Sequence, residues 1–575
     1  MHEFSSFTTN DLLRIQHERL REVAVTSLLT SLTRLSSENN GVHVHASSST
    51  LSHLSWREYF ILFILGLMVA LVVVALQPVP GYMDADYYYA GGKQLAGGQG
   101  FSDPFIWNYL DHPQGLPHPS NSYWNPLASI VAAGGMVLTG KINFLSARIG
   151  FVLMAALAPL IVATLAYRIS GKRTLARLAG LLTIFSGYYL PFIVTTDNYS
   201  LFMLVGAIYF LLLDRLTLQK SILLGILAGA FNLARGDGLF WLPLTLLAVT
   251  VLAYRQATSG SLRWRMIYSA SNGFLAFLGF LLVMGAWIAR NLAVFGAVMP
   301  PGSGYVLWMT SYNQIFSLTP ELYTFQSWLA SGLQEALKVR ASAVWQNLGT
   351  AFFAEGMIFL SPLILVGVWK ERHSFRVQLG VLGWLGMLLA ESLLFPFASM
   401  SGGFFHAGTA FQPLWFALVP LGLDICLTRI SRNNKKLAQL TRLFPAMLLV
   451  IMILFSAMLI KIRVVDSGWN EGEYLYLKAD RFLAAQSVRP DAIVMVRNPP
   501  AYFAMTGRQA IVIPDGDIQE LLTASRKFHA SYVILEQIGS SSPLYDLYEH
   551  PVAHPEFTVL GVIGDNHILF IKPSS

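Results

Sequence analysis

The feature that most constrains this chain is a succession of apolar runs, each long enough to cross a lipid bilayer as a helix. The first, at about 57–76, reads REYFILFILGLMVALVVVAL, and about 20 residues at 1.5 Å of rise each span a hydrocarbon core of roughly 30 Å. Ten further runs lie near 144–167, 176–194, 198–213, 220–235, 238–254, 266–289, 346–369, 376–397, 408–428 and 442–461. The pattern predicts an all-α polytopic membrane protein with about eleven transmembrane helices.

Composition and charge agree with this class and exclude others. Charged residues make up 12% of the chain, against about a quarter in soluble globular proteins. The net charge of +7 comes from short Lys and Arg clusters between apolar runs, so we predict no nucleic-acid partner. The only cysteine, Cys426, excludes an intramolecular disulfide and a cysteine-based metal cage.

The positive-inside rule predicts the orientation. With the N-terminus inside, the inner connections carry seventeen Lys and Arg and the outer ones six, which fits a cytoplasmic (plasma) membrane with the N-terminus inside. The run at 126–138 is short and rich in Ala and Gly, and it predicts a juxtamembrane or re-entrant helix instead of a crossing.

This topology predicts three parts. Residues 1–56 form a cytoplasmic segment with a candidate amphipathic helix at 11–35, and residues 57–464 form the transmembrane domain, with outer loops 77–143 and 290–345. Residues 465–575 alternate β-type runs with helix-like stretches, which predicts a small extracytoplasmic α/β domain. The β-type runs are 492–496, 510–513, 532–535, 558–563 and 567–571, and the helix-like stretches include 473–486 and 516–527.

The first outer loop holds the densest set of residues that could carry chemistry. Asp84 and Asp86 follow directly on the first apolar run. Two carboxylates at this spacing suit a divalent cation, or a general base with a neighbour that orients the acceptor. The alternative is a solvated helix cap, because Asp is a common N-cap residue.

The same loop resembles the first-loop signature of the GT-C superfamily of membrane glycosyltransferases, in particular its protein O-mannosyltransferase and aminoarabinose-transferase branch. The resemblance starts with Asp84, Asp86 and Tyr88. It continues through residues 94–101, QLAGGQGF, which match a Leu-x-x-Gly-x-Gly-[Phe/Tyr] segment at the end of the family's juxtamembrane helix.

Further matches extend the resemblance over about 57–460. Asp197, after the third run, is similar to the family's second acidic residue, and Arg235, between the fifth and sixth runs, to its basic residue. Arg290 and Asn291 begin a segment similar to the Arg-Asn-x4-Gly segment after the seventh run. In this way the resemblance adds four candidate substrate-binding residues to the acidic pair.

The resemblance implies a hexosyl- or pentosyltransferase of the cell envelope. The donor would be a polyprenyl-phosphate-linked sugar, and the acceptor hydroxyl would belong to a lipid, glycan or protein at the outer face. Asp84 or Asp86 would deprotonate the acceptor, with inversion at the anomeric carbon, and Arg235 and Arg290 would stabilise the leaving phosphate. A divalent cation, with the acidic pair as its ligands, is a candidate cofactor.

Several of these residues also have plain structural explanations. Arg235 and Arg290 at the ends of runs could snorkel to the head-group region. Asp197 could cap the next helix, and His406 in its outer turn could be a solvated loop residue instead of a phosphate contact. No metal role is assigned to the first-loop histidines His112 and His118.

Glu355 and Glu391 lie in or at the edge of apolar runs, so they predict a water-accessible cavity. Four aromatic residues of the first loop could stack on a sugar, although interfacial anchoring is the more common role of such aromatics. They are Trp107, Tyr109, Tyr123 and Trp124.

Two other functions compete with glycosyl transfer. A transporter or flippase would also have many spans and a few buried charges, but the candidate residues cluster on one face and the sequence has no convincing internal repeat. An assembly factor would explain 465–575 but not the acidic first loop.

Overall fold

The computed structural model describes residues 54–258, 261–433 and 443–573, so the helix predicted at 11–35 lies outside the described residues. Over this part of the chain the protein is mostly helical, as predicted. The α-helices are α1 Trp56–Leu76, α2 Met83–Ala96, α3 Leu127–Thr139, α4 Phe144–Ala147, α5 Ile149–Ser170, α6 Arg173–Ile184, α7 Tyr199–Leu212, α8 Leu218–Ala234, α9 Trp241–Gln256, α10 Leu262–Phe295, α11 Gly302–Val306, α12 Phe325–Ala330, α13 Leu333–Thr350, α14 Ser361–Lys370, α15 Phe375–Leu394, α16 Pro396–Ala398, α17 Phe404–Gly408, α18 Gln412–Asn433, α19 Phe444–Ile460, α20 Glu471–Ala485, α21 Pro499–Thr506, α22 Ile518–Phe528 and α23 Tyr545–Glu549.

Among the described residues, seven helical stretches are long and apolar enough to cross a membrane. They are Trp56–Leu76, Phe144–Ser170, Gly236–Gln256, Leu262–Phe295, Phe375–Leu394, Gln412–Arg432 and Phe444–Val465. Four shorter apolar helices, α3, α7, α8 and α14, lie between them. The membrane class is therefore confirmed, whereas the number of eleven crossings stays a prediction.

Local sequence explains how these helices begin and pack. Ser55 and Glu58 form a capping box at the start of α1, with the Ser55 amide donating to the Glu58 carboxylate over 2.6 Å. Helices α8 and α10 approach closely because glycines line their contact. A Cβ atom on Gly225 would lie 1.9 Å from the Ala276 carbonyl oxygen, so only glycine permits this approach.

The strands form two sheets. Strands β1 (Ser102–Asp103) and β3 (His118–Pro119) make a short antiparallel pair within the first outer loop. The larger sheet has six strands in the order β2, β5, β4, β6, β8, β7. Its members are β2 Phe105–Ile106, β4 Ile493–Val496, β5 Ala510–Val512, β6 Ala530–Leu535, β7 Phe557–Ile563 and β8 Asn566–Ile571.

The larger sheet differs in one respect from the α/β domain that we predict at 465–575. Its edge strand β2 comes from the first outer loop, and Phe105 and Ile106 pair in parallel with Ala510 and Ile511. Residues His53–Ser575 accordingly cluster as one compact unit. The sequence does not predict β2 because this strand is only two residues long, too short to show strand periodicity.

Candidate active site

A cavity of about 610 Å³ lies where α2, the turn after α8, the end of α15 and the segment around α17 meet. Its polar lining includes Asp84, Arg235, Asp237, Glu391 and His406. The sequence analysis names four of these five residues, and their five positions span more than three hundred residues of the chain. The fold therefore brings the predicted first-loop and transmembrane residues to one place.

Asp84 lies in the first turn of α2, and its side chain is 25% exposed to the cavity. In the described part of the chain, its carboxylate accepts no hydrogen bond, from the helix backbone or elsewhere. Burial, together with the negative charge of Asp197, raises the pKa of Asp84 to about 6, although His406 and Arg235 oppose the shift. A carboxylate held this way is available to a ligand and is a stronger base than an exposed aspartate.

Asp197 is completely buried behind Asp84, in the turn before α7. Its Oδ2 accepts hydrogen bonds from the Tyr82 hydroxyl at 2.7 Å and from His406 Nε2 at 3.0 Å, and its Oδ1 accepts from the Asn198 amide at 2.6 Å. Burial alone would raise the pKa of Asp197, but the charge and hydrogen bond of His406 and the other donors hold it below its usual range. This carboxylate is therefore ionised.

His406 makes contacts through both ring nitrogens. Its Nδ1 lies 2.9 Å from the Gly402 carbonyl oxygen, which can only accept, and 3.2 Å from the Tyr199 hydroxyl. Its Nε2 faces Asp197 Oδ2 at 3.0 Å and Asp84 Oδ2 at 3.7 Å. In the tautomer that donates from Nδ1 to Gly402, the Nε2 lone pair is available to a cation.

The ligand atoms of Asp84, Asp197 and His406 lie within 4.8 Å of one another, close enough to hold one metal ion. Two carboxylate oxygens and one imidazole nitrogen suit a divalent cation such as Mn²⁺ or Zn²⁺. His406 would bind the ion through an unprotonated Nε2. Asp86, which the sequence pairs with Asp84 as a metal ligand, lies outside the group.

Arg235 is the cation of the cavity. It follows the last residue of α8, its side chain is 14% exposed, and its Nε donates to Asp237 Oδ2 over 3.0 Å. Within the described residues its two terminal nitrogens have no hydrogen-bond partner, and this leaves a two-pronged donor for an anion. Asp237, which the sequence analysis does not single out, is recognisable only by its position two residues after Arg235.

The remaining walls are aromatic on one side and apolar on the other. Trp107 and Trp124 stack with ring centroids 4.0 Å apart and planes at 7°, and both line the cavity with Tyr123. Tyr109 does not, because its hydroxyl donates to the Val512 carbonyl in the sheet. The apolar wall comes from the α9 and α15 regions and consists of Leu239, Phe240, Pro243, Met387, Ala390, Leu394 and Phe395.

Besides the buried Asp197, three candidate residues lie outside the cavity lining. Asp86 is completely buried and accepts a hydrogen bond from Asn498 Nδ2 over 2.9 Å. Arg290 donates to the Ser120 carbonyl over 2.6 Å and to its neighbour Asn291 over 3.2 Å. Asn291 is buried and donates to the Val298 carbonyl. Their contacts in this structure are with the protein itself.

Residues after 465 fasten the helix that carries Asp84. The Gly81 amide donates to Glu473 Oε1 over 2.7 Å, just before α2 begins. Further along α2, Asn498 donates to Asp86, and Lys93 Nζ donates to the Ala504 carbonyl over 2.7 Å. These contacts are separated by about four hundred residues of sequence, so no local pattern could have indicated Glu473 or Asn498.

No family model matches this chain, and no curated protein matches it either. Among solved structures, it is similar to ArnT from Cupriavidus metallidurans in the apo state, with a TM-score of 0.52, 11% identity, and coverage of 89% of this chain and 98% of that one.

The chain is also similar to the oligosaccharyltransferase of Archaeoglobus fulgidus. With that enzyme tethered to an acceptor peptide containing the NVT sequon, the TM-score is 0.52 at 13% identity, over 86% of this chain and 70% of that one. For the complex of the same enzyme with Zn and sulfate, the TM-score is 0.50 at 12% identity, and the match covers 85% of this chain and 68% of that one. At such identities the similarity concerns the fold.

Proposed function

Because this chain has the fold of the GT-C superfamily of membrane glycosyltransferases, we propose that it transfers a sugar from a polyprenyl-phosphate donor to an acceptor hydroxyl. One observation carries the proposal: a single cavity joins a carboxylate, Asp84, that accepts no hydrogen bond from the described residues to a guanidinium, Arg235, whose terminal nitrogens are free among those residues, beside an apolar wall. A lipid-linked phosphate sugar needs all three.

The donor fits the cavity by chemistry. Arg235 offers two parallel N–H donors to the phosphate, a geometry that a guanidinium supplies and an ammonium does not. The apolar wall, which includes Leu394 and Phe395, would contact the first isoprene units of the donor. The stacked Trp107 and Trp124 would border the sugar ring.

The reaction is a single displacement. Asp84 takes the proton of the acceptor hydroxyl as that oxygen forms a bond to the anomeric carbon. The bond between the anomeric carbon and the phosphate oxygen breaks, and its electron pair leaves with the phosphate beside Arg235. Attack and departure on opposite faces invert the anomeric carbon.

A divalent cation fits the group formed by Asp84, Asp197 and His406. When bound there, it would add positive charge where the leaving phosphate gains negative charge. Asp197, which accepts a hydrogen bond from the Tyr82 hydroxyl, orients His406 in either case.

The test is to reconstitute the purified chain in lipid nanodiscs and supply a panel of radiolabelled polyprenyl-phosphate sugars with cell-envelope extracts as acceptors. We expect release of polyprenyl phosphate coupled to transfer of the label, and its loss in Asp84→Asn and Arg235→Ala. Asp546→Asn, at an exposed carboxylate of α23, serves as the matched control.

The same material tests the transporter alternative. In sealed proteoliposomes, movement of a labelled lipid-linked sugar across the bilayer, with its phosphodiester bond intact, would identify a flippase. That result, without any transfer, would refute the enzymatic proposal.

A further inference from the structure

A second cleft, of about 660 Å³, opens beside the active-site cavity. It is bounded by the end of α10, by α11 and by the loop that follows, together with residues 110–112 of the first outer loop. Its volume falls in the range that proteins use for ligands of drug or disaccharide size. Neither the proposed mechanism nor the resemblance accounts for it.

The wall between the two spaces is one short helix, α11. Ser303 and Val306 line the active-site cavity, whereas Gly304 and Tyr305 line the cleft. The helix fits tightly against the first outer loop, because a Cβ atom on Gly302 would lie 3.1 Å from Leu110 Cβ. A ligand in the cleft would therefore lie across α11 from the active-site cavity.

The cleft holds a buried carboxylate with one oxygen unused. The Asp111 side chain is 2% exposed, and its Oδ2 lies 2.6 Å from His118 Nε2. Its Oδ1 is buried without any hydrogen-bond partner among the described residues. A buried acceptor without a donor destabilises the protein, and a ligand hydroxyl would satisfy it.

Aromatic rings form the other walls. Trp308 and Phe325 meet edge to face, with centroids 5.3 Å apart and planes at 71°, and Tyr323 lies beside them. The Tyr305 hydroxyl lies 3.2 Å from His112 Nε2 at the rim and adds a second polar group. Rings bind the apolar faces of a sugar, while carboxylate and hydroxyl groups bind its edges.

We propose that this cleft is a carbohydrate-binding subsite for the acceptor, so that the acceptor of the proposed reaction is a glycan or a glycan-bearing lipid. The role of the bound sugar as acceptor rests on the proposed function, whereas the binding of a carbohydrate in the cleft does not depend on it. A lipid chain would leave Asp111 unsatisfied. An extended peptide would be held mainly by backbone hydrogen bonds, and the rings and the buried carboxylate supply few groups of that kind.

The test is saturation-transfer NMR on the full chain in nanodiscs, with free maltose, cellobiose and N,N′-diacetylchitobiose as probes and no donor present. We expect saturation of the sugar ring protons in the wild-type protein, and affinity at least about tenfold weaker in Trp308→Ala and in Asp111→Asn. Trp345→Ala, at a 79% exposed tryptophan of α13, and Asp546→Asn are the matched controls and should bind as the wild type does.

Two results would overturn the proposal. One is the absence of any disaccharide signal, or a signal that both cleft variants retain. The other is a Trp308-dependent signal from a Ser/Thr-containing peptide without one from any sugar. Trp308→Ala leaves the Asp111–His118 contact in place, so a folding defect in Asp111→Asn does not affect the result.

The two proposals fail in different ways. Disaccharide binding that depends on Trp308, without transfer from any donor, would refute the proposed glycosyltransferase activity and support the carbohydrate-binding cleft. Transfer to an acceptor without disaccharide binding would support the glycosyltransferase activity and refute the carbohydrate-binding cleft.

Discussion

At the scale of single residues, Asp84 and Asp86 are two positions apart but have opposite surroundings. Asp84 borders the cavity and accepts no hydrogen bond from any residue that the structure describes. Asp86 is completely buried against Asn498, and burial together with the charge of Glu473 raises the pKa of Asp86 well above its usual value. Asp86 is directed to Asn498 and does not line the cavity, so it is not placed to take a proton from an acceptor there. The sequence pattern assigns both residues to catalysis because it does not distinguish the two sides of a helix turn.

We predict that Asp84→Asn slows single-turnover transfer by about 10² to 10⁴, the usual effect of losing a general base. Asp86→Asn should slow it far less, because Asp86 contacts Asn498 and does not line the cavity. The measurement is transfer from a competent donor, with thermal melting as the check on folding. Near-normal rates in Asp84→Asn would assign the base to another residue.

A second prediction separates the two arginines. Arg235→Ala should weaken donor use by about ten- to a hundredfold, which corresponds to one lost charge-assisted contact of roughly 1.5 to 3 kcal/mol. Arg235→Lys should restore part of it, since a point charge cannot form a two-pronged contact. Arg290→Ala should act mainly on the melting temperature, because that side chain holds the Ser120 carbonyl. Equal effects of the two Ala variants on donor titrations would contradict this.

A third prediction concerns the cation. Chelation of the purified protein should lower transfer, and a divalent metal should restore it, because Asp84, Asp197 and His406 form a three-ligand group. His406→Ala should reduce the metal content measured by mass spectrometry as well as the activity. Unchanged transfer by chelated, metal-free protein would instead favour a protonated His406 that pairs with the two carboxylates.

At the scale of elements, α2 is held by residues that follow the last transmembrane stretch. Loss of one such contact should shift the position of Asp84 without removing any residue that lines the cavity. We predict that Asn498→Ala leaves the buried Asp86 unpaired, costs roughly 1 to 3 kcal/mol of stability, and lowers kcat more than it raises the donor KM. The exposed Asn313 of the second outer loop, changed to Ala, is the control. A loss in donor KM alone would argue for a direct donor contact.

Helices and strands were predictable from the sequence where a hydrophobic pattern extends over many residues. The strands after 490 and the long apolar helices fall close to their predicted positions. Helix α21 was not predicted, because its eight residues PPAYFAMT begin with two prolines and contain no full amphipathic repeat. The predicted run at 346–369 is also interrupted, with Met357 and Ile358 at positive φ, since nothing in an apolar stretch reveals where tertiary contacts unwind a helix.

At the scale of the whole molecule, the positive-inside rule predicts which parts share a side of the membrane. We predict that the first outer loop and the residues after 465 lie outside and that residues 1–56 lie inside. In a Cys426→Ser background, an impermeant thiol reagent on intact cells should label a cysteine at the exposed Ser541 and should not label one at Ser5. The opposite pattern would invert the topology. The parallel pairing of β2 with β5 requires the loop and the C-terminal sheet to share a side in any case.

The sequence by itself determined the membrane class, the mostly helical fold, the GT-C resemblance and the C-terminal strands, because each depends on patterns within short segments. It also named Asp84, Arg235, Glu391 and His406, all of which line one cavity. Only the tertiary structure decided that Asp197 stands behind Asp84, that Asp86 is turned to Asn498, and that β2 closes the C-terminal sheet. The physical reason is that burial, charge pairing and hydrogen bonding between residues far apart in sequence depend on packing, which no local pattern encodes.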